Sequence, residues 1–195
     1  MRVFAAIFSL VPLIVVGCPQ WRVSAPAGLR PGDLVFRRCD GVWSRWFIEA
    51  SSREKRFSHV GIVVGESPCE FHGESPLVVH AEADESTGGG CVKVDSWRDF
   101  MKDALECAVY RHGESAEQSC EIAKCAMRHI GVPFDASFDL SSTNMLYCTE
   151  FVALAMNEAL GTNVVGTTVI SGRQFIALDD IYRYGSTKIF DSAAQ

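Results

Sequence analysis

The sequence predicts an α+β fold in which a small antiparallel sheet packs against helices. Runs rich in β-branched residues come first along the chain, and runs with apolar residues at helical spacing come later. This order is typical of α+β domains rather than of doubly wound α/β domains. The 195 residues suffice for one domain with a sizeable core, and no internal repeat divides them.

The predicted elements follow a Pro-Gly turn. The first strand covers 33–37, and four more lie in the segments SHVGIVVG, SPLVVHAEAD, GGGCVKVDSW and LECAVYRH. A short amphipathic helix is predicted between the first two strands, in GVWSRWFIEASS. Two long helices come next: Ser115 caps one, which stops at Gly131, and the other lies in YCTEFVALAMNEALG and stops at Gly161. A short helix in ALDDIYRYG ends the pattern.

The N-terminus has the pattern of an export signal. Arg2 precedes an apolar run from Val3 to Val16, which is too short to span a bilayer comfortably. Gly17 and Cys18 then complete VVGC, which resembles the lipobox of bacterial lipoproteins, where the cysteine becomes the lipidated first residue. We therefore predict that Cys18 is lipidated. The alternative is a plain secretion signal with a chance cysteine.

These patterns divide the chain into three parts. Residues 1–17 are predicted to be a lipoprotein-type signal peptide, residues 18–29 a tether, and residues 30–195 a single domain. The protein is then exported and anchored to a membrane of the cell envelope, facing the periplasm; secretion as a soluble protein is the alternative. The net charge is −6 and no long basic run occurs, so we expect no nucleic-acid partner.

The cysteines permit disulfides in an exported protein. Apart from Cys18 and Cys148, six remain, and the sequence leaves their pairing open: Cys39, Cys69, Cys91, Cys107, Cys120 and Cys125. We expect one or two bridges at most, with the other thiols buried as small apolar side chains. No CxxC spacing occurs, and we predict no metal site and no cofactor.

Cys148 is a candidate nucleophile because it falls at the predicted N-terminus of a helix. Unpaired backbone N–H groups and the helix dipole there stabilise a thiolate. A thiol nucleophile also needs a base, and the base needs a group that orients it. His59 opens the strongest strand signal and His80 lies on the next strand, so antiparallel pairing places both at one end of the sheet. Alone, each is more often a buried structural residue; together, they predict a Cys-His-His triad.

Four sequence blocks, GDLVFR, SHVGIVV, VVHAEA and LYCTEFV, occur in this order, and GVPFDASF precedes the last. This pattern resembles the circularly permuted papain-like amidases of the YaeF/YiiX type, in the NlpC/P60 superfamily, whose layout is similar to that of lecithin:retinol acyltransferase-like enzymes. The permutation places the histidine strand before the cysteine helix. The resemblance implies that residues 30–195 form a permuted NlpC/P60-like catalytic domain.

The same resemblance implies roles for individual residues. Cys148 matches the nucleophile, His59 the base, and His80 the third polar group, a position where many relatives have Glu. Tyr147 matches a tyrosine that lines the site, and its hydroxyl or the Cys148 backbone N–H is a candidate oxyanion donor. Glu82, two residues after His80 on the same strand face, remains an alternative helper.

The predicted function is hydrolysis of an amide through a thioester on Cys148. The substrate would be a peptide, a cell-wall fragment or an N-acylated lipid, and the membrane a partner through the lipid anchor. The alternatives are a lipid acyltransferase or phospholipase with the same triad, and a catalytically silent binding lipoprotein. The basic cluster Arg53, Lys55 and Arg56 is either a solvated loop or a rim that attracts an anionic group of the substrate.

Overall fold

The computed structural model describes residues 19–194, apart from 68, 72–75, 85–88, 114, 143 and 184. The predicted signal peptide, residues 1–17, and the predicted lipidation site Cys18 lie outside the described residues. Among the helices of the described part, none is long and apolar enough to cross a membrane.

The strands form one large antiparallel sheet and one small hairpin. Their bounds are β1 (Leu34–Arg38), β2 (His59–Val64), β3 (Leu77–Ala83), β4 (Gly90–Ser96), β5 (Glu106–His112), β6 (Thr168–Ile170), β7 (Arg173–Phe175) and β8 (Ser186–Asp191). The order in the six-stranded sheet is β4-β3-β2-β1-β5-β8, and β6 pairs with β7. The five predicted strands are β1 to β5; the last three strands lacked a clear signal in the sequence.

Helices cover the sheet on both faces. Their bounds are α1 (Gln20–Val23), α2 (Val42–Ala50), α3 (Trp97–Phe100), α4 (Ala116–Arg128), α5 (Cys148–Leu160) and α6 (Leu178–Tyr182). The predicted helices correspond to α2, α4, α5 and α6. The Ser115 side chain accepts a hydrogen bond from the Gln118 backbone N–H at the start of α4, as an N-cap does. Gly161 ends α5 in the left-handed conformation, with a φ of 67°. The fold is therefore the predicted α+β arrangement.

A separate core lies on each face of the sheet, because alternate residues of a strand point to opposite sides. In β1, Leu34 and Phe36 pack in the larger core with α2, α4, α5 and α6, whereas Val35 packs in the smaller core with α3. The rings of His59 and His80 lie on the α3 side, with centroids 5.6 and 4.9 Å from that of Phe100. The helix that begins at Cys148 packs on the other side.

The segment predicted as a tether, residues 18–29, is in part folded onto the domain. The Trp97 indole N–H donates a hydrogen bond of 2.8 Å to the backbone oxygen of Trp21 in α1. Leu29 is buried in the smaller core. These contacts could not be predicted from the sequence, because the segment is short and carries two prolines.

One disulfide, Cys69–Cys120, joins the loop after β2 to α4. Cys107, Cys125 and Cys148 are buried free thiols. The bridge ties the loop at one end of the histidine strand to the helix that packs beside α5, so it restrains the elements on which the candidate site is built.

We expect the double substitution Cys69→Ser/Cys120→Ser to lower the free energy of unfolding by about 2–4 kcal/mol, because the bridge closes a long loop in the unfolded chain. Equilibrium denaturation with and without a thiol reductant measures the effect. The reductant should destabilise the wild type by a similar amount and leave the double variant unchanged. Equal stability of the oxidised wild type and the double variant would contradict a stabilising bridge.

Candidate active site

Cys148 and His59 line the same cleft, which has a volume of about 800 Å³. Cys148 is the first residue of α5 and His59 is the first residue of β2, so a helix end and a strand end meet there. Four aromatic residues of the lining form what we call the aromatic wall: Trp43, Phe47, Phe134 and Phe138. Phe138 packs against the other three: its ring centroid lies 6.0 Å from that of Trp43, 5.3 Å from that of Phe47 and 6.1 Å from that of Phe134.

The two histidines form a hydrogen-bonded chain that ends on a carboxylate. His59 Nε2 lies 2.8 Å from His80 Nδ1, and His80 Nε2 lies 3.0 Å from Asp95 Oδ2. Antiparallel pairing of β2 with β3 places Gly61 beside His80, and a side chain at Gly61 would come within 3.2 Å of the His80 Cβ atom. The Cβ atom of such a side chain would lie only 2.5 Å from Val78 Cγ1, so β2 can pass this close to β3 only with glycine at position 61.

The hydrogen-bonded chain from His59 to Asp95 determines which nitrogen of His59 is basic. The hydrogen bond from His80 lowers the pKa of Asp95 to about 2, so Asp95 is a carboxylate that only accepts. His80 Nε2 must then carry a proton, and its Nδ1 accepts the Nε2 proton of His59. The remaining nitrogen, His59 Nδ1, is left with a lone pair. The arrangement prepares His59 to take a proton at Nδ1.

Burial keeps both imidazoles neutral. Burial is the main reason that the pKa of His59 lies well below its usual value, and the positive charge of Arg37 adds to the effect. The pKa of His80 is also lowered, chiefly by burial, although the hydrogen bond with Asp95 opposes the change. His80 is 0% exposed.

Behind the histidines lies a charged network of four residues: Arg37, Glu82, Lys93 and Asp95. Lys93 Nζ lies 2.7 Å from Glu82 and 3.0 Å from Asp95, and Arg37 lies 2.7 Å from the other oxygen of Glu82. Glu82 is therefore engaged by two cations, and neither histidine is among the hydrogen-bond partners described for it. Its carboxylate nevertheless lies within 4.8 Å of ring nitrogens of both histidines, so its part as an alternative helper stays a prediction.

Sequence reasoning missed Asp95, Lys93 and Arg37. The spacing of the charged residues could have indicated the pairs on β3 and β4. Lys93 and Asp95 are two residues apart on β4, as His80 and Glu82 are on β3, so each pair shares a strand face. The register His80↔Lys93 then brings the pairs together. That register could not be read from the sequence, because the residues between the two strands match no specific turn type.

Cys148 is 1% exposed, and its thiol holds its proton more strongly than the sequence predicted. Burial raises the pKa of Cys148 to about 12, although backbone N–H groups of Thr149 and Val60 act in the opposite direction. Backbone N–H groups at the helix N-terminus act to stabilise the thiolate, as expected, but desolvation is the larger effect and the pKa of Cys148 rises. Cys148 and neutral His59 thus rest as an uncharged pair.

The structure brings Cys148 and His59 to one cleft without a direct hydrogen bond. Among the hydrogen bonds of the described residues, none joins the Cys148 sulfur to an imidazole nitrogen. The sulfur approaches from the face of α5, and the His59 ring lies on the face of α3. Catalytic hydrogen bonds are often long before substrate binds and tighten in the complex.

Tyr147 does not face the cleft. Its side chain is fully buried, and its hydroxyl accepts a hydrogen bond of 2.9 Å from the backbone N–H of Ile176. It is absent from the lining residues that the described part of the chain provides. Of the two predicted oxyanion donors, the Cys148 backbone N–H is therefore the better placed.

Two carboxylates that do not line the cleft have structural partners. Asp33 forms an ion pair of 2.7 Å with Arg111, and Glu150 accepts a hydrogen bond of 3.4 Å from the Tyr147 backbone N–H. The basic cluster Arg53, Lys55 and Arg56 lies outside the cleft lining. Arg56 is engaged with Glu106 and Asp191, so the cluster does not form a rim around the cleft.

A histidine strand that precedes a cysteine helix, with both meeting at one cleft, defines the circularly permuted papain-like fold. The sequence profile described as permuted papain-like amidase enzyme, YaeF/YiiX, C92 family, matches residues 28–186. The chain belongs to this family, as its sequence blocks predicted. The crystal structure of metalloprotein yiiX from Escherichia coli O157:H7 is similar, with a TM-score of 0.66 and 20% identity, over 84% of this chain and 97% of that chain. A search of curated proteins found no match.

The description of yiiX as a metalloprotein raises the question of whether the cleft of the present chain suits a metal ion. Within the described residues, His59, His80 and Glu82 have potential ligand atoms within 4.8 Å of one another. However, two imidazole nitrogens on a tetrahedral zinc ion lie about 3.3 Å apart, and here they share a proton at 2.8 Å. Glu82 is already neutralised by Arg37 and Lys93. The residues in this arrangement do not fit a metal ion.

The neutral resting pair predicts a characteristic pH dependence of Cys148 alkylation. With the thiol pKa raised to about 12, the thiolate fraction grows about tenfold per pH unit through the neutral and mildly alkaline range. The rate of iodoacetamide modification, measured at Cys148 by mass spectrometry, should rise with that slope and show no plateau up to about pH 9. A plateau beginning in the acidic range would instead reveal a thiolate–imidazolium pair at rest.

Proposed function

We propose that this protein cleaves an amide by acyl transfer to the sulfur of Cys148 and then to water. The observation that carries the proposal is the chain from His59 through His80 to Asp95, which ends in the cleft that also contains Cys148. The hydrogen-bonded chain fixes one tautomer of His59 and leaves its Nδ1 as a basic nitrogen, and His59 and Cys148 line the same cleft.

In the first step, His59 Nδ1 takes the thiol proton as the sulfur attacks the carbonyl carbon of the amide. A C–S bond forms, and the electron pair of the carbonyl π bond moves to oxygen, where the Cys148 backbone N–H stabilises it. The C–N bond then breaks, and the departing amine takes the proton from His59. A thioester remains on Cys148, and the imidazole is neutral again.

In the second step, His59 takes a proton from water, and the hydroxide adds to the thioester carbonyl. The C–S bond breaks, the sulfur regains its proton from His59, and a carboxylic acid leaves. During both steps the imidazole is briefly charged. The Asp95 carboxylate, acting through His80, stabilises that charge, while the positive charge of Arg37 keeps it short-lived.

The aromatic wall supports a substrate with an apolar acyl group. Trp43, Phe47, Phe134 and Phe138 line the cleft together with Cys148. Among the three predicted kinds of substrate, this favours an N-acylated lipid over a peptide or a cell-wall fragment. A lipid acyltransferase or phospholipase is the second candidate, because the same wall and the same thioester suit an ester substrate or another acceptor.

Dodecanoyl p-nitroanilide tests the amidase, because its cleavage releases a coloured amine. We expect Cys148→Ala and His59→Ala each to lower kcat/KM by about 10²–10⁴-fold, and the double variant to be scarcely worse, because both act in one unit. Cys125→Ala, which removes another buried thiol outside the cleft, is the matched control and should keep its activity. Turnover that survives Cys148→Ala would overturn the proposal.

His80 can be tested with an amide in its place. In His80→Gln, the side-chain NH₂ can donate to Asp95 and the oxygen can accept from His59, so the tautomer is preserved. We expect this variant to retain more of the dodecanoyl p-nitroanilide activity than His80→Ala, with the difference mainly in kcat. Equal activities of His80→Ala and the wild type would remove His80 from the mechanism.

We also propose that the protein is exported and anchored through lipidated Cys18. The support is the sequence VVGC after an apolar run. Intact-mass analysis should find a mature chain that begins at Cys18 and carries acyl chains, and Cys18→Ser should accumulate as unprocessed precursor. Cleavage at another residue, without lipid mass, would contradict this anchor.

A further inference from the structure

The cleft is bordered by an exposed apolar surface on α2. Val42 is 84% exposed, Trp43 is 52% exposed and Trp46 is 44% exposed. We call these three residues the α2 surface. Trp43 belongs to the aromatic wall, and Trp46 stacks on Phe138 of that wall with ring centroids 5.0 Å apart. The apolar lining of the cleft thus continues without interruption to the outside of the protein.

A cationic hollow lies at another border of the same cleft. Arg22, Arg98 and Lys102 line this hollow of about 340 Å³, together with Val23 and Asp99. Asp99 and Lys102 also line the cleft, which makes the two depressions neighbours. Three cations against one anion are a local excess in a chain whose net charge is −6, and they complement the phosphates of anionic lipids.

The described chain begins beside this hollow. Arg22 and Val23 lie in α1, which starts one residue after Pro19. The sequence that precedes Pro19 contains the apolar run from Val3 to Val16 and the predicted lipidation site Cys18. An anchor on Cys18 would hold the membrane near the hollow, and therefore near the opening of the cleft.

We propose that the α2 surface contacts the lipid bilayer and sets the opening of the cleft against it. Trp and a neighbouring aliphatic side chain suit this position, because an indole ring has an apolar body and a polar N–H and prefers the membrane–water interface. The cationic hollow meets the lipid headgroups on the other side of the opening. The partner is a bilayer with anionic headgroups, rather than a second protein.

This contact narrows the substrate class, a step that rests on the proposed function. An acyl chain that leaves the bilayer at the α2 surface meets Trp43 and then Phe138 without crossing water. The substrate is then a membrane-resident amphiphile whose acyl group is linked through an amide, and its carbonyl reaches Cys148 at the inner end of the aromatic wall.

Bromine in lipid acyl chains quenches tryptophan fluorescence only at close range, and it tests the contact directly. The full chain is placed in vesicles of acyl-brominated phosphatidylcholine and phosphatidylglycerol, with unbrominated vesicles as the reference. Two of the four tryptophans belong to the α2 surface, so we expect the brominated lipid to remove about half of the wild-type emission. Trp43→Tyr/Trp46→Tyr should lose most of this quenching, whereas Trp97→Phe, which removes a tryptophan that is 0% exposed, should retain it.

Val42→Glu is the sharpest variant, because Val42 is exposed at the first turn of α2, where a carboxylate does not disturb the helix. We expect it to reduce the quenching several-fold with an unchanged unfolding midpoint. Ile130→Glu makes the same change at an exposed isoleucine outside the cleft lining and should quench like the wild type.

Absence of quenching in the wild type, or quenching that persists in Trp43→Tyr/Trp46→Tyr, would overturn the membrane contact. The measurement needs no turnover, so such a result would leave the proposed amidase untouched. Conversely, Cys148→Ala should quench like the wild type even though it cannot form a thioester.

Discussion

The hydrogen-bonded chain from His59 through His80 to Asp95 is the interaction on which the proposed site depends. It joins β2, β3 and β4, so it exists only if the sheet has the observed order and register. Because the chain ends on a carboxylate, each proton in it has one place, and the free lone pair of His59 falls on Nδ1. This also explains why His occupies position 80, where many relatives were expected to have Glu. Asp95 already supplies the carboxylate from the next strand, and a second one at position 80 would face it at close range.

Burial imposes the second constraint. The cleft favours neutral forms, because desolvation lowers the pKa of His59 and raises that of Cys148. In the proposed mechanism, the thiolate of Cys148 is therefore formed only when substrate arrives. In the charged network, the carboxylates of Glu82 and Asp95 balance the cations of Arg37 and Lys93, so these four residues carry no net charge. The aromatic wall carries no charge, and its apolar side chains continue into the α2 surface, which faces outward.

The sequence was sufficient for the α+β class, the family and five of the eight strands, because β-branched runs and capped amphipathic helices are local signals. It also located His59 and His80 correctly next to each other, since two consecutive strands usually pair. The sequence was not sufficient for features that depend on how several helices and strands pack together. Asp95 became visible only through the register of β3 with β4. Tyr147 was expected to face the cleft, but its hydroxyl is held by Ile176, far along the chain. The raised pKa of Cys148 could not be predicted, because a helix N-terminus can be read from the sequence, whereas the burial of the thiol in the folded core cannot.

The central claim is that Asp95, acting through His80, fixes the tautomer of His59. Long-range proton–nitrogen NMR of protein labelled with heavy nitrogen in histidine observes this directly, with His59→Gln and His80→Gln variants to assign the signals. At neutral pH the account predicts that both imidazoles are neutral, with the proton on Nε2 and a bare Nδ1 in His59 whose signal disappears in His59→Gln. A proton on Nδ1 of His59, or a charged His80, would contradict the account, because no nitrogen would then be free to accept the proton of Cys148.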